Sequence, residues 1–140
     1  MKKILLILLF LPIFVFAELD LAKVNKALLG IKSNKTLSFY TTNNRIKLKG
    51  NLNFTSFKEA DILLFSKKPD KKKLTIVDSY KSLKTHKNSI GAIYIRKGRT
   101  QIVFVQERLE MNGLKLASNF KKHLIHDWQL SAEALLKNIK

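Results

Sequence analysis

A chain of 140 residues with 46% hydrophobic and 26% charged side chains is too apolar to be disordered, and with five Gly, two Pro and no Cys it is neither collagenous nor disulfide-stapled. Its 27 Lys and Arg face only 10 Asp and Glu, a formal charge of +17. One compact, strongly basic domain remains.

Lys2 and Lys3 precede an unbroken apolar run, Ile4 to Phe16, that closes on Val15-Phe16-Ala17 and gives way to Glu18 and Asp20. A membrane span needs about 20 apolar residues. This run is shorter, so residues 1–17 read as a cleavable signal peptide and 18–140 as a single periplasmic domain. Retention as an uncleaved anchor is the alternative; Pro12 and the Ala17-Glu18 junction favour processing, and a lipid anchor would need the Cys that the chain lacks. Missing cysteines do not argue against export, because a domain of this size builds a core without disulfides.

The positive excess attracts polyanions, which outside the cytoplasm are anionic lipid, glycan phosphate or acidic partner proteins. The lysines are nevertheless spread along the whole chain, as in solvation of every face. No interleaving of exposed rings with basic residues marks a base-stacking platform, so nucleic acid is not an expected partner.

In chain order, Asp20 caps a helix with apolar positions Leu21, Val24, Leu28 and Ile31 and Gly30 near its end. Thr36 to Tyr40 reads as a strand, Arg45 to Asn53 as either strand or short helix, and Ser56 to Ala60 as a helical turn with Phe57 inward. Asp61 to Ser66 holds four consecutive apolar residues and predicts a strand buried on both faces. After the charged loop 67–73 come a strand at Leu74–Val77 and a short helix, Tyr80–Thr85, capped by Ser79. Ile90 to Ile95 and Ile102 to Val105 flank Arg96-Lys97-Gly98-Arg99 and predict a hairpin, apolar on both faces, with helices above and below it. Further helices are expected over 107–111, 118–125 and 132–139, the last capped by Ser131. The fold class is α/β: a single domain, a mixed sheet of about five strands, helices on both faces and a central hairpin.

His123, His126 and Asp127 are the candidate metal ligands, since on a helix the two imidazoles lie three apart on one face and the carboxylate four residues after the first. Against this, no Cys and no metalloprotease Glu accompany them, and both His residues also suit a helix C-terminus. Trp128 reads as an anchor of that turn onto the core. Asp78, Ser79 and His86 invite a nucleophile reading, but no Gly-x-Ser-x-Gly elbow surrounds Ser79, which reads as a cap. Asp61, Glu107 and Glu110 lie on different elements with no evident acid and base pairing. No Gly-rich phosphate loop, flavin motif or dinucleotide fingerprint is present, so no cofactor is expected.

Leu74-Thr75-Ile76-Val77-Asp78, Ile90-Gly91-Ala92-Ile93-Tyr94-Ile95, the hairpin at Lys97-Gly98 and Met111-Asn112-Gly113-Leu114-Lys115-Leu116-Ala117-Ser118-Asn119-Phe120 together resemble the C-terminal half of YfiR-like periplasmic proteins. The resemblance covers residues 61–125. It departs from the family pattern in lacking cysteines, in a shorter N-terminal segment and in Val105-Gln106-Glu107 where Glu-Ile-Asn is usual. It implies a small exported protein that binds partner proteins and, in the best-known case, restrains a membrane-bound diguanylate cyclase.

The expected function is therefore a non-catalytic binding or regulatory module with a protein partner in the periplasm or at the inner membrane. Such a module should expose an apolar patch rimmed by lysines. A metal-binding protein using His123, His126 and Asp127, and an electrostatic binder of anionic lipid or glycan, are the alternatives.

Overall fold

The computed structural model describes residues 18–43, 46, 51–65 and 72–131. The leader 1–17, most of the undecided stretch 45–53, residues 67–71 of the charged loop and the helix expected over 132–139 lie outside them.

Helix α1, Leu21–Leu29, starts where the Asp20 carboxylate accepts the Lys23 amide at 3.2 Å. Three turn-spaced residues, Val24, Ala27 and Leu28, are buried on one side of it. Strands β1 (Ile31–Lys32), β2 (Ser38–Tyr40), β3 (Asn53–Phe54), β4 (Ile62–Leu64) and β5 (Leu74–Val77) follow, then helix α2 (Tyr80–Thr85), with Ser79 as its cap. The hairpin β6 (Ser89–Arg96) and β7 (Arg99–Val105) leads into helix α3 (Gln106–Met111), strand β8 (Lys115–Leu116), a 3-10 helix (Ser118–His123) and strand β9 (Leu124–Ile125).

Among the described residues seven strands form the main sheet in the order β3-β2-β4-β5-β6-β7-β9, more than the roughly five expected. The pairs from β3 to β6 are parallel, β6 and β7 antiparallel, and β9 joins β7 in parallel. The hairpin is interior, flanked by β5 and β9, as its two apolar faces require. Its two-residue turn needs positive φ at both central positions, which Gly98 (75°) supplies freely and Lys97 (51°) also adopts. β1 and β8 pair apart as a two-stranded ribbon.

Alternate residues of β7 separate two cores. Ile102 and Phe104 join α1, Leu109 and Leu116 on one face, while Val105 packs with Val77, Leu83, Ala92 and Leu130 on the other. Helices thus cover both faces of a mixed sheet, the expected α/β layering.

Three local expectations are corrected. Residues 56–60 make the expected single helical turn, closed by the Ala60 amide on the Ser56 carbonyl at 3.0 Å, but it is Ala60 that is buried, while Phe57 is 43% exposed, edge-on to Tyr40 and beneath Lys73. Residues 118–125 are not one helix, because the segment turns as a 3-10 helix and then extends to pair Leu124 with Phe104 on the sheet edge. Ser131 is not a cap, since helical backbone has already begun at Asp127. That start is fixed by a local capping bond, the Gln129 side chain accepting the His126 amide at 2.7 Å, and by a tertiary one, Glu107 accepting the Asp127 amide at 3.0 Å.

Candidate functional site

The expected metal ligands go to three different partners. A backbone carbonyl only accepts, so His123 Nδ1–H donates to Ile102 O at 2.9 Å, fixing the neutral ring's tautomer. His126 Nδ1 meets Glu107 Oε1 at 2.7 Å, and Asp127 Oδ1 accepts from Arg108 Nη2 at 3.0 Å. The 3-10 helix ending at His123 and the extended residues after it remove the helical spacing that would place both imidazoles on one face. Among the described residues no group of three or more His, Asp or Glu side chains is placed to hold a metal ion. Ser79 and His86 serve local structure as well: Ser79 Oγ accepts the Ser82 amide at 3.1 Å and donates to Ser82 Oγ, and the His86 carbonyl accepts from Ser89 Oγ.

The residues around His126 build something else. Glu107 lies in the first turn of α3, just after β7, and its two carboxylate oxygens take the His126 ring and the Asp127 amide. One turn later Leu130 is buried against Leu83, a side-chain burial worth roughly 1.5–3 kcal/mol. Between them Trp128 is held outward. Its ring lies parallel to that of His126 at 6.4 Å and is 65% exposed, so Leu130, not Trp128, anchors this turn.

Trp128 and Leu130 form one wall of a groove of about 660 Å³; Met111, at the end of α3 and 84% exposed, and Lys84 and Lys87, from α2 and the residues after it, line the rest. Arg108 lies in its floor. Its side chain is buried, with Nη1 donating to the carbonyls of Leu83 (2.8 Å) and Ser89 (2.9 Å), so a cation occupies the C-terminal end of α2, where helical carbonyls lack partners. Sequence reasoning did not place Lys84, Lys87, Arg108 and Met111 with Trp128, because three distant segments supply them. The one local signal was a Trp flanked by polar residues, His126-Asp127-Trp128-Gln129.

Among the described residues three ionisable groups, His123, Asp61 and Glu107, are shifted by their surroundings. Burial, reinforced by the positive charges of Lys122 and Lys23, lowers the His123 pKa against the opposing bond to Ile102 O. For Asp61 and Glu107 burial pulls upward, but bonds from Lys35 and Ser38 to the first, and from His126 and the Asp127 amide to the second, hold both carboxyls below the usual range. A His with a depressed folded pKa contributes stability that is present above its unfolded value, about 6.5, and is lost as pH falls through the folded value. Thermal melts between pH 7 and pH 5 should therefore decline less steeply for His123→Gln than for the parent chain; parallel declines would contradict the assignment. The two carboxyls add a second loss at lower pH, because their stabilisation is present above the unfolded value and disappears as acid protonates the folded groups.

The chain matches no protein-family model, no curated protein and no solved structure.

Proposed function

We propose that the chain is exported and works in the periplasm as a non-catalytic module that binds a partner protein through the groove beside Trp128. The observation that carries this reading is the pairing of Trp128 and Met111. Two large apolar side chains, 65% and 84% exposed, line one concavity whose other walls carry lysines. An apolar centre rich in Trp and Met with a polar rim is the anatomy of a protein interface, and Trp is prominent among residues that dominate binding energy. The ring is also pre-placed, by the stack on His126, the bonds of Glu107 and the burial of Leu130, which reduces the ordering cost of association.

Export rests on the basic start and apolar run of residues 1–17. The resemblance of residues 61–125 to YfiR-like proteins, whose members bind protein partners, points the same way. A binding role also accords with the groove's ionisable floor, where Arg108 and Asp127 hold each other and the ends of neighbouring elements.

Tagged chain recovered from periplasmic extract should retain a specific protein, and Trp128→Ala should retain at least tenfold less while its circular dichroism is unchanged, the loss expected of an interface hot spot of about 2 kcal/mol. Equal recovery by both chains, or no specific protein with either, would overturn the proposal.

A further inference from the structure

Resting on the reading of the groove as a docking face, we infer that Met111 is a modification site: oxidation of its thioether to the sulfoxide by a peroxide weakens the hold of the groove on its partner. Met1 and Met111 are the two methionines of the sequence, which has no Cys. Met1 lies in the leader, so the processed chain keeps one oxidisable sulfur. That sulfur belongs to a side chain 84% exposed, on the lining of the groove that Trp128 shares. A thioether has no proton to lose, so access rather than pKa governs its oxidation, and here access is nearly complete.

In the step itself a sulfur lone pair attacks one oxygen of hydrogen peroxide. An S–O bond forms as the O–O bond breaks, sulfur gives up two electrons to the peroxide, and the departing hydroxide takes the proton of the transferred oxygen and leaves as water. The product carries a polar S=O group where an apolar side chain made the centre of the interface. Burying that group against a partner shaped for a thioether costs affinity.

The fold is insulated from this change. Helix α3 buries Arg108 and Leu109, whereas Met111 is its last residue and stands in solvent. Oxidation of a methionine in a core disrupts packing; at this position it alters a binding surface and leaves the core as it was. The position also sets the order of events, because a seated partner covers the sulfur. The oxidant therefore acts on the unbound chain and prevents association.

The test treats the processed, tagged chain alone with hydrogen peroxide, removes the peroxide, and then passes periplasmic extract over the chain, so that the partner is never oxidised. Mass should rise by one oxygen, mapped to Met111, with melting temperature and circular dichroism unchanged. Recovery of the specific partner should fall about tenfold against the untreated chain, and should return after incubation with methionine sulfoxide reductases of both epimer specificities. Met111→Leu has no thioether, so its treated and untreated samples should recover the partner equally, whatever their common level. Met111→Gln, with a polar side chain of similar length, should recover less than Met111→Leu without any peroxide.

The inference is overturned if the oxidised chain recovers as much partner as the untreated one, if Met111→Leu loses partner on treatment, if the reductases restore nothing, or if the melting temperature falls together with recovery. Should any of these occur while Trp128→Ala still loses the partner, the docking face stands and its control by oxidation does not. A chain that retains no specific partner before treatment removes both.

Discussion

Replacing Arg108 with Ala should lower unfolding free energy by about 3 kcal/mol, and replacing it with Met should lower it nearly as much. Arg108 is only 7% exposed and its guanidinium serves acceptors on three elements: Leu83 O of α2, Ser89 O and Oγ of β6, and Asp127 at the start of the helical segment that follows β9. Swapping a buried ion pair for apolar side chains is often neutral when both partners are replaced together. Here the main acceptors are backbone carbonyls, which no substitution removes, and each buried acceptor deprived of a donor costs about 1–3 kcal/mol. Met restores volume but donates nothing. Lys supplies one ammonium where a planar fork spans two sets of acceptors, so Arg108→Lys should recover only part of the loss. Urea unfolding of the three variants checks this, and an Arg108→Met chain as stable as the parent would show that the side chain acts by packing alone.

Gly91→Ala should cost about 2 kcal/mol although it adds a single methyl group. A Cβ at this position of β6 would lie 2.6 Å from Val103 O and 2.7 Å from Phe104 Cδ1. The first is backbone of the paired strand β7 and the second belongs to a fully buried ring, so neither yields without moving the hairpin. Alanine restricts the unfolded chain and recovers about 0.4–1 kcal/mol, less than the 1–3 kcal/mol of overpacking it opposes. Coupling Gly91→Ala to Phe104→Leu should return about 1 kcal/mol of interaction, because shortening the ring relieves one of the two contacts. Urea unfolding of the two single variants and the double variant measures this. A Gly91→Ala loss below 0.5 kcal/mol, or strict additivity with Phe104→Leu, would show that the ring is not the obstacle.

The elements whose signals are local were legible in the sequence. Asp20 and Ser79 each cap a helix through a side-chain oxygen, the apolar run 62–64 is buried throughout, and Gly98 closes the hairpin. Elements settled by distant partners were not. β3 and β9 are two residues long, too short for any periodicity, and exist because a neighbouring strand offers hydrogen bonds. Residues 118–125 contain enough apolar side chains for a helix, yet pairing on the edge of β7 holds their end extended, which undoes the spacing of His123 and His126. Trp128 and Phe57 show the limit of a burial rule for aromatics. In each case a smaller neighbour, Leu130 or Ala60, takes the inward position because the backbone start is set elsewhere. The groove is the extreme instance, assembled from α2, α3 and the turn after β9 with no spacing that links them.

The proposal that the groove is a docking face is tested most directly by contact at Met111. A photoactivatable phenylalanine analogue placed there in the cell that makes the protein should give one discrete adduct on illumination. The same group at Phe57, also exposed but outside the groove, should give none. Trp128→Ala introduced beside the probe should abolish the adduct at Met111. No discrete product from Met111, or the same product from Phe57, would contradict a partner seated between Met111 and Trp128.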